Sequence, residues 1–429
     1  MAIIPKKKNT RNSKIRSPWY FIPTLYFAEG VPYILVNTVS VIIYKNMGID
    51  NAQIAFWTSL LYLPWVLKML WSPLVDLYST KRNWIVYTQL AMMCCLILAA
   101  FSLQISNFFL ISLMFFTVGA FISATHDIAA DGFYLLALNI KQQEVFAGIR
   151  TVFYRLAVIF GSGFLVFVAG KLQKNWNNAS LSWTFCLGIS ALIFGLIFIY
   201  HQFTLPYPPI EKNKPQTNSQ KVNQTVPFWE IFIYYFRQPK IGATLAFILF
   251  YRFAEAMLLK LTSPFLLDQV EQGGLGLSTE DVGLVYGTFG ILALIIGGIL
   301  GGIVIAKYGL KKTILPLALA LHLPDLFYVY MSLAQPPLQI VYLLVAVEQF
   351  GYGLGLTAFM VYLMQIAQGK YKTSHYAIST GIMALGMMLP GAVSGYIQQE
   401  VGYTVFFVIV CLLAIPGIAT VFFLPLTED

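Results

Sequence analysis

Charge is what this sequence has least of. Asp, Glu, Lys and Arg make up 10% of its 429 residues, against roughly 25% in a soluble domain. So few charges do not cover a soluble surface of this size, and a soluble enzyme is excluded first. Acidic residues are the scarcer kind, 18 against 27 basic, for a net charge of +9. In a soluble chain that excess would suggest nucleic acid; here the placement of the charges matters more than their sum, and no nucleic-acid partner is expected. Cysteine is also sparse. Cys94 and Cys95 are neighbours in an apolar run, where bridging them would strain the backbone, and Cys186 and Cys411 also sit in apolar runs. No disulfide framework and no metal-ligand spacing is present. Nor is there a His/Glu metal cluster, a nucleophile elbow or a phosphate-binding glycine loop. The chain therefore reads as a non-enzyme that needs no cofactor.

What the sequence has in abundance is apolar length. Hydrophobic residues make up 58%, in runs of about 20 or more, each long enough to cross a hydrocarbon core of about 30 Å. The runs predict twelve helices, over 19–44, 52–75, 84–105, 108–138, 145–170, 181–204, 240–267, 281–306, 313–333, 338–366, 375–398 and 402–425. The expected fold class is an all-α integral membrane protein of two six-helix halves. Its parts are a basic tail (1–18), an N-terminal half (19–205), a linker (206–238) and a C-terminal half (239–429). The linker begins PYPPIEKNKPQTNSQKVNQ, too hydrophilic and proline-rich to span. The tail resembles the basic region of a signal peptide, but the apolar run after it is too long and lacks a cleavage site, so it reads as an uncleaved first span.

Basic residues in the loops orient the helices. Nineteen lie on the side of the N-terminus and linker, among them Lys81, Arg82, Lys141, Lys307, Lys311 and Lys312; only Lys45, Lys171 and Lys174 lie on the other. Both termini are expected in the cytoplasm.

The halves also echo each other. Gly48-Ile49-Asp50-Asn51-Ala52-Gln53-Ile54-Ala55 precedes the second span and Gly276-Leu277-Ser278-Thr279-Glu280-Asp281-Val282-Gly283 the eighth. Each is a helix start whose polar residues can cap free amides. After the second span come Asp76 and Lys81-Arg82. After the eighth, behind Gly297-Gly298-Ile299-Leu300-Gly301-Gly302, comes Lys307-Tyr308-Gly309-Leu310-Lys311-Lys312. The glycines would let helices approach closely. The pattern resembles the basic loop motif between spans two and three of the major facilitator superfamily, degenerate in the first half and clear in the second. That resemblance implies a carrier with its substrate site near the midplane between the halves.

An ionisable residue at mid-bilayer costs about 2.5–3.5 kcal/mol on insertion scales, so those within spans should be paired, wet, or functional. Asp127 and Asp131, spaced i, i+4 on the fourth span, project from one face. Two carboxylates that close in low dielectric resist being charged together, which suits proton coupling. Alternatively they neutralise Arg150 and Arg155 on the fifth span. Arg150 and Lys68 lie where they could also snorkel to headgroups; just past Pro64, Lys68 could instead attract an anionic group. Glu29, followed by Gly30 and Pro32, is expected at a bend facing a cavity. Arg252 and Glu255, at i, i+3, are candidates for an intrahelical pair. Lys260, Asp325 and Glu348 complete the set within spans. His126 could titrate beside Asp127, while His375 is expected to be solvated at an interface. The aromatic residues, 16% of the chain, are mostly packing and interfacial belts, with a few available to stack on a sugar ring.

Leu63-Pro64-Trp65-Val66-Leu67-Lys68-Met69-Leu70-Trp71-Ser72-Pro73-Leu74-Val75-Asp76 and His126-Asp127-Ile128-Ala129-Ala130-Asp131-Gly132-Phe133 look like the peptide/acetyl-coenzyme A transporter branch of that superfamily, as do Tyr154-Arg155-Leu156 and Gly161-Ser162-Gly163. The branch includes the AmpG-type anhydromuropeptide permeases. The resemblance implies a proton-driven importer of GlcNAc-anhydro-N-acetylmuramyl peptides in the inner membrane, used in cell-wall recycling and powered by the proton gradient alone. Lys68, Asp76, Asp127, Asp131 and Arg155 fall on the shared pattern; His126 departs from it. Proton coupling is assigned to Asp127, Asp131 and Glu29. Substrate binding or charge pairing is assigned to Lys68, Arg155, Arg150, His126, Arg252 and Glu255, and loop gating to Asp76, Lys81, Arg82, Gly302, Lys307 and Lys311. A monomer in the bilayer with a small-molecule substrate is expected. The alternatives are a carrier of another amphiphilic or anionic metabolite, such as acetyl-coenzyme A, and a membrane sensor that does not transport.

Overall fold

A computed structural model describes residues 17–207, 228–367 and 372–426, less a few side chains within helices. The basic N-terminal tail, linker residues 208–227, Lys370 and the side chains of Asp76, Lys141 and Lys372 lie outside the described residues. Among the described residues there is no strand. Among the described residues ten helical segments are long and apolar enough to cross a membrane. The second span, absent from those ten, runs in two pieces, Asn51–Leu60 and Leu63–Tyr78. The last of the ten lies in the helix Lys372–Thr420, which turns at Gly402 (φ 74°) and has the length of two crossings. The layout is consistent with twelve.

The echoed helix starts fold as the sequence suggests. The Asp50 carboxylate accepts the Gln53 amide at 2.9 Å. Ser278 Oγ accepts the Asp281 amide at 3.2 Å while Asp281 accepts the Ser278 amide at 3.3 Å. Both ends meet backbone donors that a helix start leaves unpaired.

Several spans are irregular where they face each other. The first (Pro18–Asn46) continues through Pro32 and widens into a π-helical turn at Leu35–Val39. The fifth and eighth carry π-turns at Ile159–Leu165 and Val285–Gly290. These two helices join the halves along one flank at very close range. A Cβ on Gly287 would overlap the Ser162 carbonyl, and one on Gly163 would lie 2.5 Å from Thr288 Oγ1. On the other flank the second span packs on the eleventh, where a Cβ on Gly395 would overlap the Asn51 carbonyl. Within the second half, Gly297 brings the eighth span against the tenth at Phe350, as the glycine run suggested, whereas Gly302 has open space beside it.

Three expectations need amendment. The end of the segment assigned to the linker is helical, Phe228–Phe236, because FWEIFIYYF buries Tyr235 against Ser379. His375 is 1% exposed and not solvated; Tyr234 stacks on its ring at 5.8 Å and Tyr235 meets it edge-on. Arg252 and Glu255 form no pair with each other, because the seventh span breaks between Ile241–Phe250 and Phe253–Leu267 and sets Arg252 at the break.

Candidate functional site

Chain direction alternates, so the connections after the first, seventh and eleventh spans share one side, opposite the linker. There the halves are latched together. Lys45 Nζ pairs with Asp268 Oδ1 at 2.5 Å. Asn51 Nδ2 donates to Asp268 at 3.2 Å, to Gln398 at 2.8 Å and to Tyr403 Oη at 2.8 Å, and Tyr403 donates to Asp268 at 2.6 Å. Gln399 bonds Asp50, Thr279 bonds Asn46, and Lys174 pairs with Glu280 at 2.7 Å. Every one of these contacts joins one half to the other except that between Tyr403 and Asp268. From sequence Lys45 and Lys174 read as loop charges and Asp50, Asn51, Thr279 and Glu280 as parts of helix starts; their pairing was not read, since partners more than 100 positions apart leave no local pattern.

About three turns below the latch, at a rise of ~1.5 Å per residue, the seam is aromatic and cationic. The Tyr33 ring meets Tyr62 at 6.3 Å, Trp65 at 5.2 Å and Tyr154 at 6.3 Å. Arg252 donates Nη2 to Tyr352 Oη at 2.5 Å and lies 5.6 Å from its ring centre. Half-buried Arg155 makes no hydrogen bond or ion pair among the described residues. Tyr33 and Tyr352 both lie within electrostatic reach of both arginines. One cation from each half thus lies within electrostatic reach of Tyr33 and Tyr352, and Arg252 alone bonds a phenol. From sequence Arg155 and Arg252 were assigned to substrate binding or charge pairing; the tyrosines were hidden among many aromatic residues of the same type.

One to two turns further toward the linker side is the carboxylate group of the first half. Asp127 Oδ2 accepts from Trp65 Nε1 at 2.9 Å and lies 3.7 Å from Lys68 Nζ. Asp131 pairs with Arg150 at 3.4 Å and accepts from Tyr26 Oη at 3.2 Å. Arg150 sits over the rings of Tyr26 and Tyr134. Glu29 lies within electrostatic reach of Asp127, Asp131, Lys68 and Arg150, and its Oε2 is buried without a hydrogen-bond partner. The structure brings these five residues together, with Lys68 rather than Arg155 as the counter-ion of Asp127.

His126 points away from this group. It contacts Gln89, which bonds His201 Nδ1 at 2.9 Å, and His201 Nε2 meets Thr24 Oγ1 at 2.8 Å. This buried chain ties the fourth, third, sixth and first spans together. In the second half Glu255, Asp325 and Glu348 are all at most 1% exposed. Glu348 accepts from Tyr328 at 3.2 Å, Asp325 lies 3.5 Å from His322, and both Glu255 oxygens lack a hydrogen-bond partner. Among the described residues no group of His, Cys, Asp and Glu is placed to hold a metal ion.

The loop residues divide. Arg82 is buried and clamps the end of the sixth span, donating to the carbonyls of Gln202 (2.6 Å) and Leu205 (3.0 Å) and to Tyr207 Oη at 2.9 Å. The buried stem of Lys81 packs on Gly132. Lys307, Lys311 and Lys312 are exposed around the turn at Gly309 (φ 76°).

The Major Facilitator Superfamily model matches residues 24–321 and 245–429. The anhydromuropeptide permease of Escherichia coli (strain K12) is 26% identical over 399 residues, covering 92% of this chain and 77% of that protein. A transporter named AmpG 4 from Rickettsia felis is 24% identical, covering 93% and 94%. Among solved structures, a bacterial homolog of the human lysosomal transporter Spinster, inward-facing and unoccupied, aligns with TM-score 0.73 at 14% identity, covering 96% of this chain and 97% of that one. A D-xylose-proton symporter aligns with TM-score 0.73 at 10% identity, covering 94% and 95%. These two establish the fold. The relatives and the fold are those of transporters that cross the membrane several times.

Proposed function

The chain belongs to the Major Facilitator Superfamily, and from that premise we propose that it is a proton-coupled importer of anhydromuropeptides, working by alternating access in the cell membrane. The observation that carries the reading is the central seam. Arg155 of one half and Arg252 of the other lie within electrostatic reach of Tyr33 and Tyr352, and Arg252 bonds Tyr352. Guanidinium groups suit the carboxylates of a peptide, and aromatic faces suit the apolar faces of sugar rings. The name of the Escherichia coli relative supports the cargo.

Coupling is assigned to the carboxylate group. Lys68 and Arg150 are the cations beside Glu29, and a proton taken up by Glu29, Asp127 or Asp131 would relieve the repulsion among the three carboxylates, which its release would restore. Arg155, half-buried on the fifth span five residues beyond Arg150, competes for that carboxylate charge. The halves rock about the seam, opening the latch on one side as they close on the other. The loop-charge asymmetry supports termini in the cytoplasm, so the latch faces outward. The proton gradient serves as the only energy source and a monomer as the working unit.

Uptake of labelled anhydromuropeptide into membrane vesicles tests this reading. Accumulation that collapses when the proton gradient is dissipated is the expected result. Accumulation indifferent to the gradient would remove the coupling, and none at all would remove the cargo, leaving a carrier of another anionic metabolite.

A further inference from the structure

Between the latch and the aromatic seam, residues of both halves enclose a cavity of about 60 Å³. Its polar lining consists of Asn37 and Thr38 on the first span, Tyr62 on the second, Lys260 and Ser263 on the seventh and Tyr286 on the eighth; no carboxylate lines it. Lys260 is 5% exposed. Its ammonium crosses the seam to donate to Thr58 Oγ1 at 2.9 Å and lies 5.3 Å from the centre of the Tyr62 ring. It has no ion-pair partner among the described residues. Asn37 is 4% exposed; its amide donates to the Tyr33 carbonyl, while its Oδ1 is buried without a partner.

A cation buried in a membrane protein without a counter-ion is costly, and so is a buried carbonyl oxygen with no donor. Here both border the same small space. The ligand that would relieve both carries an anion and, close to it, an N–H. We propose that this cavity is a subsite for the terminal carboxylate of an N-acylated amino acid or peptide. The carboxylate pairs with Lys260 Nζ, and the adjoining amide N–H donates to Asn37 Oδ1. The space holds such a terminus and not a disaccharide, which leaves the sugars to the aromatic seam below. This assignment rests on the reading of the seam as the substrate route. It places the peptide end two turns beneath the Lys45–Asp268 latch.

The test is thermal unfolding of the purified full-length protein in detergent, titrated with N-acetylalanine and, separately, its C-terminal amide. Wild type should be stabilised by the acid and much less by the amide. K260M should bind the acid at least tenfold more weakly, N37A several-fold more weakly, and K260R should keep part of the preference. Methionine removes a buried unpaired charge at similar volume, so K260M should fold; if it does not, the acid-versus-amide contrast in wild type, K260R and N37A still decides. Equal response to acid and amide, no response in wild type, or K260M binding as wild type does would each overturn the subsite. Lys260-dependent binding of the acid without uptake of labelled anhydromuropeptide would instead overturn the cargo and leave the subsite standing.

Discussion

Lys45 at the end of the first span and Asp268 at the end of the seventh are joined at 2.5 Å across the two halves, with side chains only 14% and 8% exposed. Asp268 also accepts from Asn51 and Tyr403, so removing its charge strands several donors at once. Truncating one partner of a buried pair costs ~3–5 kcal/mol. We expect D268N to shift the carrier away from this closed-side conformation. Spin-label distances between the halves near the latch should lengthen in a population at least tenfold larger than in wild type. Unchanged distances would show that the latch does not set the equilibrium.

Asp127 holds Trp65 and Lys68 on one oxygen. Replacing it with asparagine preserves shape and the contact to Trp65 but removes the charge that a proton would neutralise. Gradient-driven accumulation by D127N should fall to background, while exchange of substrate down its own gradient continues. Vesicle uptake and counterflow, measured side by side, separate the two. D127N that accumulates substrate like wild type would place coupling elsewhere.

Much of this arrangement was legible in the sequence because it is carried by local pattern. Apolar run length gave the spans, and the polar starts at Asp50 and Ser278 are caps that need only four consecutive residues. That Glu29, Lys68, Asp127, Asp131 and Arg150 would be paired, wet or functional was expected from the cost of charge in a membrane. That argument does not choose partners: it allowed Asp127 to face Arg155, and packing of the second span against the fourth put Lys68 there instead. The i, i+3 spacing of Arg252 and Glu255 assumed an unbroken helix, and the break at Tyr251–Arg252 undid it. Latch, aromatic seam and the Gln89–His201 chain depend on contacts between distant segments, which one sequence read alone does not display.

Gly287 and Gly163 let the eighth and fifth spans touch backbone to backbone. A methyl group on Gly287 meets the Ser162 carbonyl, which has no rotamer by which to yield. Overpacking of this kind costs ~1–3 kcal/mol. G287A should lower the melting temperature in detergent and, because the strain lies on the seam, slow exchange between conformations. Wild-type stability together with wild-type exchange would mean that the flank is looser than the structure has it.

His201 joins buried Gln89 to half-buried Thr24. H201A takes one partner each from Gln89 and Thr24, which keep their contacts to His126 and to the Phe21 carbonyl, and a buried polar atom left unsatisfied costs ~1–3 kcal/mol. We expect H201A to unfold at lower temperature but to retain an unaltered substrate affinity, since the chain lies apart from the seam. A change in affinity at unchanged stability would reassign the histidine to the transport route.

Arg155 and Arg252 come from different halves and lie within electrostatic reach of the same two phenols, yet they are held differently. Arg252 is buried and donates to Tyr352 at 2.5 Å, whereas half-buried Arg155 has no hydrogen-bond or ion-pair partner among the described residues. A guanidinium kept at the seam without a protein acceptor is free to take a ligand carboxylate with both of its donor edges, a geometry lysine does not reproduce. Losing a charge-assisted hydrogen bond to a ligand costs ~1.5–3 kcal/mol. R155Q should therefore raise KM for uptake at least tenfold, R155K should fall between it and wild type, and neither should lower the melting temperature. R252Q removes a packed cation as well as a ligand contact, so it should lose stability together with affinity. Parallel measurements of KM and thermal unfolding on the three variants separate binding from architecture. Stability lost in R155Q, or affinity kept in it, would show that Arg155 serves the fold rather than the substrate.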